Sequence, residues 1–564
     1  MAVFTITAVD TSGIQPFIFG SNRLQENIGA SELVRLATGQ WALDALADGA
    51  SGHHNVLNST KTTLNDEYRI ESDESAHAAE VLYAGGGNIV ALFRSSAAAR
   101  DFARKLTRKL LEDAPGLSIF IAHHDNIDWD KSALSRILQN LLGKELAKHK
   151  AAAQPSFRSL GLGVTAACES TGLAASRTTA EEHRGVSLKL SNDEATRLIS
   201  SGVAEKLVSR DLATHRLTRL FEDQLCDTPY SCRFPSDMDK LGRIKGEESY
   251  VAVVHADGNG VGRRIQKIAG DHSMPQDNRR FILAVRDFSR QLDGAANKAL
   301  LTVVLTLLRS ISWNEELSAW MIAGKIPLVE KYLPFRPLVF GGDDVTFVCN
   351  GQLGIGLAAI YLGEYERQTE MRSGSNSYLK DLHACAGVAI VKSHYPFARA
   401  YKISESLVRS AKLYIKEKYK EQKDASALDW HFTAGGLSGS LTAIRAREYT
   451  LPDKRTLVMR PVLLNPESND QDGRAWHDRV ERLTLTFQDD PRWAGKRNKV
   501  KALREALRRG PREVEAFRLA FELNELPEVL PGLDLYRKNG YTGNRCGYFD
   551  AIELLDHYVP LEVG

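Results

Sequence analysis

The chain has 564 residues, and its 73 lysines and arginines nearly balance 71 aspartates and glutamates, which gives a formal net charge of +2. This length exceeds what one hydrophobic core usually holds and predicts about three to four domains. The charge balance excludes a uniformly basic nucleic-acid-binding protein, so any contact with nucleic acid would need a local patch.

The sequence also predicts where the protein resides. No stretch reaches about 18 uncharged apolar residues, so no membrane span is predicted. The N-terminal segment lacks the basic region of a signal peptide, so no secretory leader is predicted either. The six cysteines have no paired CxxC spacing, which favours a reduced, cytoplasmic protein.

Hydrophobic periodicity near the N-terminus predicts one complete β-α-β-β-α-β unit. Its predicted elements are a strand at 3–10, a helix at 30–48, a hairpin at 81–93, a helix at 96–113 and a strand at 117–125. This order is ferredoxin-like, and polymerase palms and nucleotide cyclases are built on it. We therefore assign 1–173 to a first palm domain and the polar, helix-biased stretch 174–245 to a helical linker domain.

The same order returns in the second half of the chain. The predicted elements are a strand at 249–257, a helical region at 278–323, a hairpin at 336–349, a helix at 353–370, a strand at 382–391 and a charged helix at 397–420. We assign 246–430 to a second palm domain. Beyond it, "DWHFTAGGLSGS" (429–440) predicts a loop and 474–525 predicts helices, so 431–564 is expected to be a mostly helical C-terminal domain. The predicted fold class is α+β, with two ferredoxin-like palms.

The two predicted palms align as a duplication. "AVDTSGI" (8–14) matches "HADGNGV" (255–261), and "YAGGGNIVALF" matches "VFGGDDVTFVC". In this alignment Gly87 and Asn88 stand where the second copy has Asp343 and Asp344. Only Asp10 remains of the acidic set, so the first copy is predicted to be degenerate and to bind no catalytic metal.

The "GGDD" stretch at 341–344 places two acids at a hairpin tip, where a turn needs only the glycines. Asp257 ends the strand expected to lie beside this hairpin, so three carboxylates would converge and repel each other. Hard divalent cations relieve such repulsion, and two Mg²⁺ or Mn²⁺ ions about 3.5–4 Å apart can serve a phosphoryl displacement. The predicted metal ligands and catalytic residues are Asp257, Asp343 and Asp344, with Gly258 as a further ligand.

Nucleotide binding is predicted around the same carboxylates. A glycine-rich turn from strand to helix lets backbone amides approach a triphosphate, and lysines one helical turn apart add positive charge. The predicted nucleotide-binding residues are Gly258, Asn259, Gly260, Gly262, Gly341, Gly342, Lys412 and Lys416, with Lys392 as a further candidate. The structural alternatives are an Asx-type turn, a solvated hairpin tip and a solvated helix face.

These motifs resemble the large polymerase-like subunit of type III CRISPR effector complexes. "DTSGIQPFIFGSNRLQENIGASELV" (10–34) is similar to the first palm of that family, and "DGNG" with "GGDD" is similar to its second palm. The resemblance implies synthesis of cyclic oligoadenylate-type second messengers from ATP, with Asp257, Asp343 and Asp344 holding the metals. The family's N-terminal histidine-aspartate nuclease domain is not expected, because the first palm begins almost at Met1, and its zinc-binding cysteines are not recognisable. A nuclease-less CRISPR subunit and a stand-alone defence relative both fit.

An alternative of a different class is a non-catalytic scaffold that binds RNA or other effector-complex subunits. Its predicted surface is a basic helix made of Lys496, Arg497, Lys499, Lys501, Arg504, Arg508, Arg509 and Arg512. The motifs "HHD" (123–125) and "GHHN" (52–55) suggest a nuclease more weakly, because further metal ligands are not apparent. Acids in only one of two copies favour the enzyme over the scaffold.

Overall fold

The computed structural model describes residues 3–49, 52–72, 76–152, 163–189, 195–226, 231–242, 249–420, 422–433, 439–466, 474–528 and 535–561. Across these ranges, no helix combines the length and the hydropathy needed to cross a membrane.

The N-terminal unit is a mixed α and β structure. Its elements are β1 (Val3–Ser12), α1 (Ile14–Phe19), α2 (Leu24–Thr38), α3 (Gln40–Gly49), β2 (His53–His54), β3 (Val56–Asn58), β4 (Thr63–Leu64), β5 (His77–Gly85), β6 (Asn88–Phe93), α4 (Ser96–Asp113), β7 (Ser118–Asp128), α5 (Leu134–Asn140) and α6 (Leu146–Ala152), with a π-helical segment at Leu141–Glu145. Its main sheet has the strand order β2-β5-β6-β1-β7.

The middle of the chain combines short strands with two helices. These elements are β8 (Arg177–Thr178), β9 (Glu182–His183), β10 (Val186–Ser187), β11 (Leu198–Ile199), α7 (Ser201–Leu220) and α8 (Glu222–Cys226). The linker predicted as helical therefore begins with paired strands. Gly185 supplies the turn between β9 and β10, with a φ of 76° that favours glycine.

The second unit repeats the plan of the first. Its elements are β12 (Tyr250–Gly258), α9 (Val261–Asp271), α10 (Asn278–Arg309), β13 (Ile311–Asn314), β14 (Ala319–Ile322), β15 (Ile326–Pro327), β16 (Phe335–Gly341), β17 (Asp344–Asn350), α11 (Gly354–Ser373), β18 (Ala384–Lys392), α12 (Phe397–Tyr419) and β19 (Ala427–Phe432). Together with β20 (Val462–Leu463), the main strands form a sheet in the order β16-β17-β12-β18-β19-β20.

The remaining elements belong to the C-terminal part. They are α13 (Leu441–Glu448), a π-helical segment at Trp476–Glu481, α14 (Arg482–Asp489), α15 (Arg497–Arg509), α16 (Pro511–Ala520), α17 (Leu535–Asn539), β21 (Tyr541–Thr542), β22 (Arg545–Cys546) and α18 (Phe549–Leu554). Many of their apolar side chains form a separate hydrophobic cluster, which includes Leu483, Leu503 and Phe549, whereas Trp476 and Leu554 pack in the large cluster shared with the second unit.

The two main sheets share one connectivity. β1 lies between β6 and β7 and pairs antiparallel with both, and β12 lies in the same way between β17 and β18. Each unit therefore has the ferredoxin-like order, with the first strand between the third and the fourth. The predicted element order is present in both halves.

Packing joins the two units around common cores. Alternate residues of β12 face opposite sides, so Ala252 and Val254 pack in one cluster with α10 and α11, while Val251 and Val253 pack in another. The second cluster also contains residues of α1 and α12, where Phe19 stacks on Tyr401 with ring centroids 4.0 Å apart. The two faces of β12 are thus covered by side chains from both units.

Three predicted elements differ from the structure. The helix predicted at 30–48 begins at Leu24 and breaks at Gly39, where a Cβ would lie 2.7 Å from the Arg35 carbonyl oxygen. The helical region predicted to 323 ends at Arg309. The chain then forms β13 and β14, because Trp313 and Trp320 pair across the strands with ring centroids 5.0 Å apart.

The loop predicted at 429–440 begins with the last residues of β19, which pairs parallel to β18 and buries Leu428 and Trp430 completely. Residues 434–438 of this predicted loop lie outside the described ranges, as does the domain boundary predicted at 245/246. The predicted domain limits stay predictions.

Candidate functional site

The acidic hairpin is a tight turn between β16 and β17. Gly341 pairs with Asp344, so Gly342 and Asp343 form a two-residue turn. Gly342 has a φ of 64°, a conformation that glycine adopts without steric cost. On its other edge β17 pairs with β12, and this register sets Asp344 directly opposite Asp257. The hairpin therefore brings two acids of the turn to the end of β12.

The chain after β12 packs closely against this turn. The Gly258 amide donates to the Asp343 carbonyl at 3.0 Å. A Cβ on Gly258 would lie 2.8 Å from the Asp343 Cβ, so a side chain here would push the hairpin away. Gly260 caps the N-terminus of α9 with a φ of 65°. Gly258 thus allows the strand end to lie close to the acidic turn, and Gly260 allows α9 to begin directly after it.

The Asp343 carboxyl is affected by burial and by the charges of the other two acids. Burial of the Asp343 carboxyl, together with the charges of Asp257 and Asp344, raises its pKa to about 6. Asp344 Oδ1 lies 3.2 Å from Nδ1 of the buried His255. Burial alone would lower the pKa of His255, but the neighbouring Asp344 carboxylate outweighs burial and raises it. The site concentrates negative charge that nearby cations only partly balance.

Lys412 is the cation that lies nearest to Asp257. Its Nζ donates to Asp257 Oδ2 at 2.6 Å and to the Gly258 carbonyl at 2.8 Å. Both partners are residues that the sequence predicts as metal ligands. Lys416 lies one turn further along α12 and is exposed.

Other predicted residues lie in different surroundings. Asn259 is buried, and its Nδ2 donates to Asp424 Oδ1 at 2.9 Å and to the Ala425 carbonyl at 3.1 Å, so its side chain anchors the turn to the loop before β19. A Cβ on Gly262 would meet no atom within 4 Å, which leaves open space beside α9.

Lys392 is not brought to the site. It pairs with Tyr250 at the opposite end of β12, whereas Asp257 pairs with Cys385. Seven residues of extended chain separate the two ends, which is roughly 24 Å. The further candidate Lys392 is therefore wrong as a phosphate contact at the acidic hairpin.

Sequence reasoning missed a fourth aspartate beside the turn. Asp293 on α10 accepts a hydrogen bond from the Gly342 amide at 3.1 Å, and Asn297 donates to its other oxygen at 2.9 Å. The only local signal is the i,i+4 spacing of Asp293 and Asn297 within a long helix, a common pairing. Nothing in the sequence connects this pair to a hairpin almost 50 residues away.

Two buried tyrosines on α11 lie close to the same carboxylates. The hydroxyl oxygens of Tyr361 and Tyr365 are buried and have no hydrogen-bond partner. Burial raises the pKa of both phenols, and the charge of Asp343 contributes to each shift. Both hydroxyls are therefore proton donors, and buried donors without a partner are uncommon in folded proteins.

The donor set suits a hard divalent cation, because three carboxylates and a backbone carbonyl supply oxygen ligands. Burial is the main cause of the raised Asp343 pKa, and a cation here would offset the repulsion from Asp257 and Asp344 that adds to it. In the part of the chain that the structure describes, however, no three His, Cys, Asp or Glu side chains are already placed to hold a metal ion. The ligand chemistry fits, while the coordination geometry would have to be assembled on binding.

The first unit contains a degenerate counterpart of this site. Asp10 pairs with Asn88 in the register that joins Asp257 to Asp344, and Gly87 takes the turn position of Asp343. Gly13 caps α1 with φ 66° and ψ 28°, nearly the values of φ 65° and ψ 22° at Gly260. The predicted alignment of the two copies is therefore confirmed by strand register and by cap geometry.

The predicted basic helix spans the end of the Trp493 loop, α15 and the start of α16. Its apolar side, with Val500, Leu503 and Leu507, is buried in the C-terminal cluster. Some cations have internal partners: Arg504 lies 3.9 Å from Glu553, and Lys499 lies over the Trp493 ring. The exposed cations are Lys496, Arg497, Lys501, Arg509 and Arg512.

Fold and site together define a class of protein: a duplicated β-α-β-β-α-β chain in which one copy keeps an acidic hairpin and the other has lost it. No protein-family model matches the chain, and no curated protein matches it.

The solved structures that the chain resembles contain Csm1. A Csm1–Csm4 cassette in complex with cA4 matches at 13% identity and a TM-score of 0.49, over 98% of this chain and 69% of that chain. A cassette in complex with pppApA matches at 13% identity and a TM-score of 0.49, over 99% of this chain and 70% of that chain. Csm1 in T. onnurineus matches at 13% identity and a TM-score of 0.47, over 98% of this chain and 69% of that chain.

Csm1 is a subunit of type III CRISPR effector complexes, the family that the sequence motifs resemble. At 13% identity and TM-scores below 0.5, the likeness assigns no activity, substrate or partner to this chain.

Proposed function

We propose that the chain is a nucleotidyltransferase whose second unit is a catalytic palm, and that it joins nucleoside triphosphates, ATP above all, into cyclic oligonucleotides for antiviral defence. The observation that carries this proposal is the convergence of Asp257, Asp343 and Asp344 in one of two otherwise equivalent units. A hairpin with a purely structural role gains nothing from three acids that repel one another. A site that binds metal ions and nucleotide requires such carboxylates as metal ligands.

The residues at the hairpin would bind the metal ions, fix the turn and surround the carboxylates. Asp257, Asp343 and Asp344, with the Gly258 carbonyl, would hold two Mg²⁺ or Mn²⁺ ions. When bound, these ions activate the attacking hydroxyl and neutralise the leaving pyrophosphate. Asp293 holds the Gly342 amide and so fixes the turn that carries Asp343. The buried hydroxyls of Tyr361 and Tyr365 would stay protonated beside these carboxylates, because burial raises the pKa of both phenols.

The triphosphate would lie against the first turn of α9. The first amides of a helix have no intrahelical acceptor, and the helix dipole favours negative charge there. Gly258 and Asn259 already donate their amides to the Asp343 and His383 carbonyls. The amides from Gly260 to Gly262 are therefore the ones we assign to phosphate, with Lys412 and Lys416 adding positive charge from α12.

The experiment is product analysis by mass spectrometry. Purified protein is incubated with Mg²⁺ or Mn²⁺ and each nucleoside triphosphate in turn, next to the double variant Asp343→Ala/Asp344→Ala and a matched variant of the first copy, Asp10→Ala. We expect cyclic oligonucleotides from the wild type and from Asp10→Ala, and none from the double variant. Equal product from all three proteins would reject the assignment.

The scaffold alternative rests on the exposed cations of α15 and α16. Four of them, Arg497, Lys501, Arg509 and Arg512, lie on the two helices, and Lys496 directly precedes α15. Such a surface suits the phosphates of RNA or an acidic face of another effector-complex subunit. If the wild type forms no product, binding of RNA that weakens steeply with salt and with Lys501→Glu/Arg509→Glu would favour the scaffold. The two functions are compatible in one chain.

A further inference from the structure

We propose that Lys412 is a resident counter-ion that occupies the metal position in the nucleotide-free protein, so that a divalent cation enters together with the nucleotide. This inference rests on the proposed function. Its ammonium bonds Asp257 Oδ2 at 2.6 Å and the Gly258 carbonyl at 2.8 Å, which are two of the oxygens assigned to the metal. A cation cannot bind these oxygens until the ammonium leaves.

The first unit supplies an independent observation. There the Lys150 ammonium contacts the Asp10 carboxylate. Lys150 lies on α6, which follows β7, and Lys412 lies on α12, which follows β18. β7 and β18 are equivalent strands, because each pairs antiparallel with the first strand of its unit. The two ion pairs are therefore structural equivalents, and each joins a helix to the end of the first strand.

The two copies differ in what surrounds the pair. In the first, Gly87 and Asn88 leave Asp10 as the only carboxylate of the motif, so one ammonium balances one charge. In the second, the ammonium faces three carboxyl groups, Asp257, Asp343 and Asp344, of which Asp344 has a further basic neighbour, His255, so negative charge is left over. Lys150 therefore neutralises the degenerate site. Lys412 neutralises the acidic site only in part, so a doubly charged cation can replace it there.

Replacing the Lys412 ammonium with a divalent cation costs free energy, and a bound nucleotide can reduce that cost. A free divalent cation must break both hydrogen bonds of Lys412 and leave the ammonium without a partner. A cation that arrives with a triphosphate offers the ammonium phosphate oxygens at the same time. The Lys412 side chain is 30% exposed, and lysine is a flexible point charge that can turn to a new anion. Metal and nucleotide should therefore bind cooperatively, and the coupling must be reciprocal.

The test measures Mn²⁺ binding by electron paramagnetic resonance, with and without a non-hydrolysable ATP analogue. Lys412→Met removes the ammonium but keeps much of the side-chain length. Lys412→Arg keeps the charge and controls for folding. Lys150→Met breaks the equivalent pair in the first unit and is the matched control. Asp343→Ala/Asp344→Ala reports whether Mn²⁺ binds at the hairpin at all.

We expect Lys412→Met to bind Mn²⁺ alone about tenfold more tightly than wild type, as for the loss of a competing charge-assisted contact. The gain in Mn²⁺ affinity on adding the analogue should shrink in this variant. Lys412→Arg keeps the charge and Lys150→Met lies in the first unit, so both variants should bind Mn²⁺ alone no more tightly than wild type. Unchanged Mn²⁺ affinity in Lys412→Met, with binding abolished by the double aspartate variant, would overturn the counter-ion proposal alone. Mn²⁺ binding that survives the double variant would overturn this proposal and the proposed site together.

Discussion

The raised pKa of Asp343 predicts that the acidic turn destabilises the metal-free protein. An aspartate whose pKa is about 6 in the folded state, against 3.8 as the ordinary value, binds its proton more tightly when folded. Its ionised form therefore lowers the free energy of unfolding. This cost is absent below about pH 4, grows between the two pKa values and is complete above about pH 7.

The magnitude follows from the difference between the two pKa values. A shift of about two units corresponds to about 3 kcal/mol at pH 8. At pH 5, where the folded-state carboxyl is mostly protonated, about half of this cost is present. Asp343→Asn removes the charge at nearly constant shape. In EDTA, the variant should therefore be more stable than wild type by up to about 3 kcal/mol at pH 8 and by about half as much at pH 5.

Urea denaturation of both proteins at pH 5 and pH 8 measures this difference. Comparing variant with wild type at each pH cancels the titration of other groups. Mg²⁺ added together with a non-hydrolysable ATP analogue should stabilise wild type at pH 8 and have a smaller effect on Asp343→Asn. A stability difference that does not change with pH, or an Asp343→Asn protein less stable than wild type at pH 8, would refute the reasoning that burial and neighbouring acids destabilise the ionised Asp343 carboxyl.

Further predictions concern activity and the turn itself. Asp343→Ala with Asp344→Ala should abolish nucleotide polymerisation in a mass-spectrometric assay while circular dichroism reports an intact fold; retained product formation would contradict the site. Asp10→Ala should keep product formation within a few-fold, because Asn88 and the glycine beside it supply no carboxylate, and a loss beyond about 10²-fold would contradict the degenerate first site. Asp257→Asn should lose at least about 10²-fold in rate, as for lost transition-state charge stabilisation, with Mn²⁺ replacing Mg²⁺ and Ca²⁺ supporting little turnover; full activity in EDTA would argue against metals. Gly342→Ala should cost about 1 kcal/mol in denaturation experiments, because its φ of 64° strains a side chain, and an unchanged midpoint would contradict this.

Local patterns in the sequence determine much of the fold. Alternating apolar residues define the strands around Asp257 and Asp344, and "GGDD" defines a two-residue turn, because strand period and glycine conformation are local properties. The duplication is readable for the same reason. Asp10 aligns with Asp257 by sequence, and the register with Asn88 and Asp344 follows once both hairpins are tight.

Local patterns do not distinguish a buried strand from a loop, or the end of a helix from a following hairpin, where tertiary packing determines which structure forms. β19 is a strand because Leu428 and Trp430 are buried beside β18, although its glycine- and serine-rich continuation is typical of a loop. β13 and β14 form because Trp313 pairs with Trp320. In each case the deciding contact lies outside the window in which hydrophobic periodicity is measured.

The site shows the same division. Short motifs predict the three carboxylates and the glycine turn, since these are contiguous stretches joined by one strand pairing. The hydrogen bond from Lys412 to Asp257 spans 155 residues, and the one from the Gly342 amide to Asp293 spans 49, so both depend on tertiary packing. Tertiary packing also determines that Asn259 faces the protein interior. Side-chain partners of this kind depend on how helices pack on the sheet, and helix packing depends on the shapes of many side chains together rather than on any short motif.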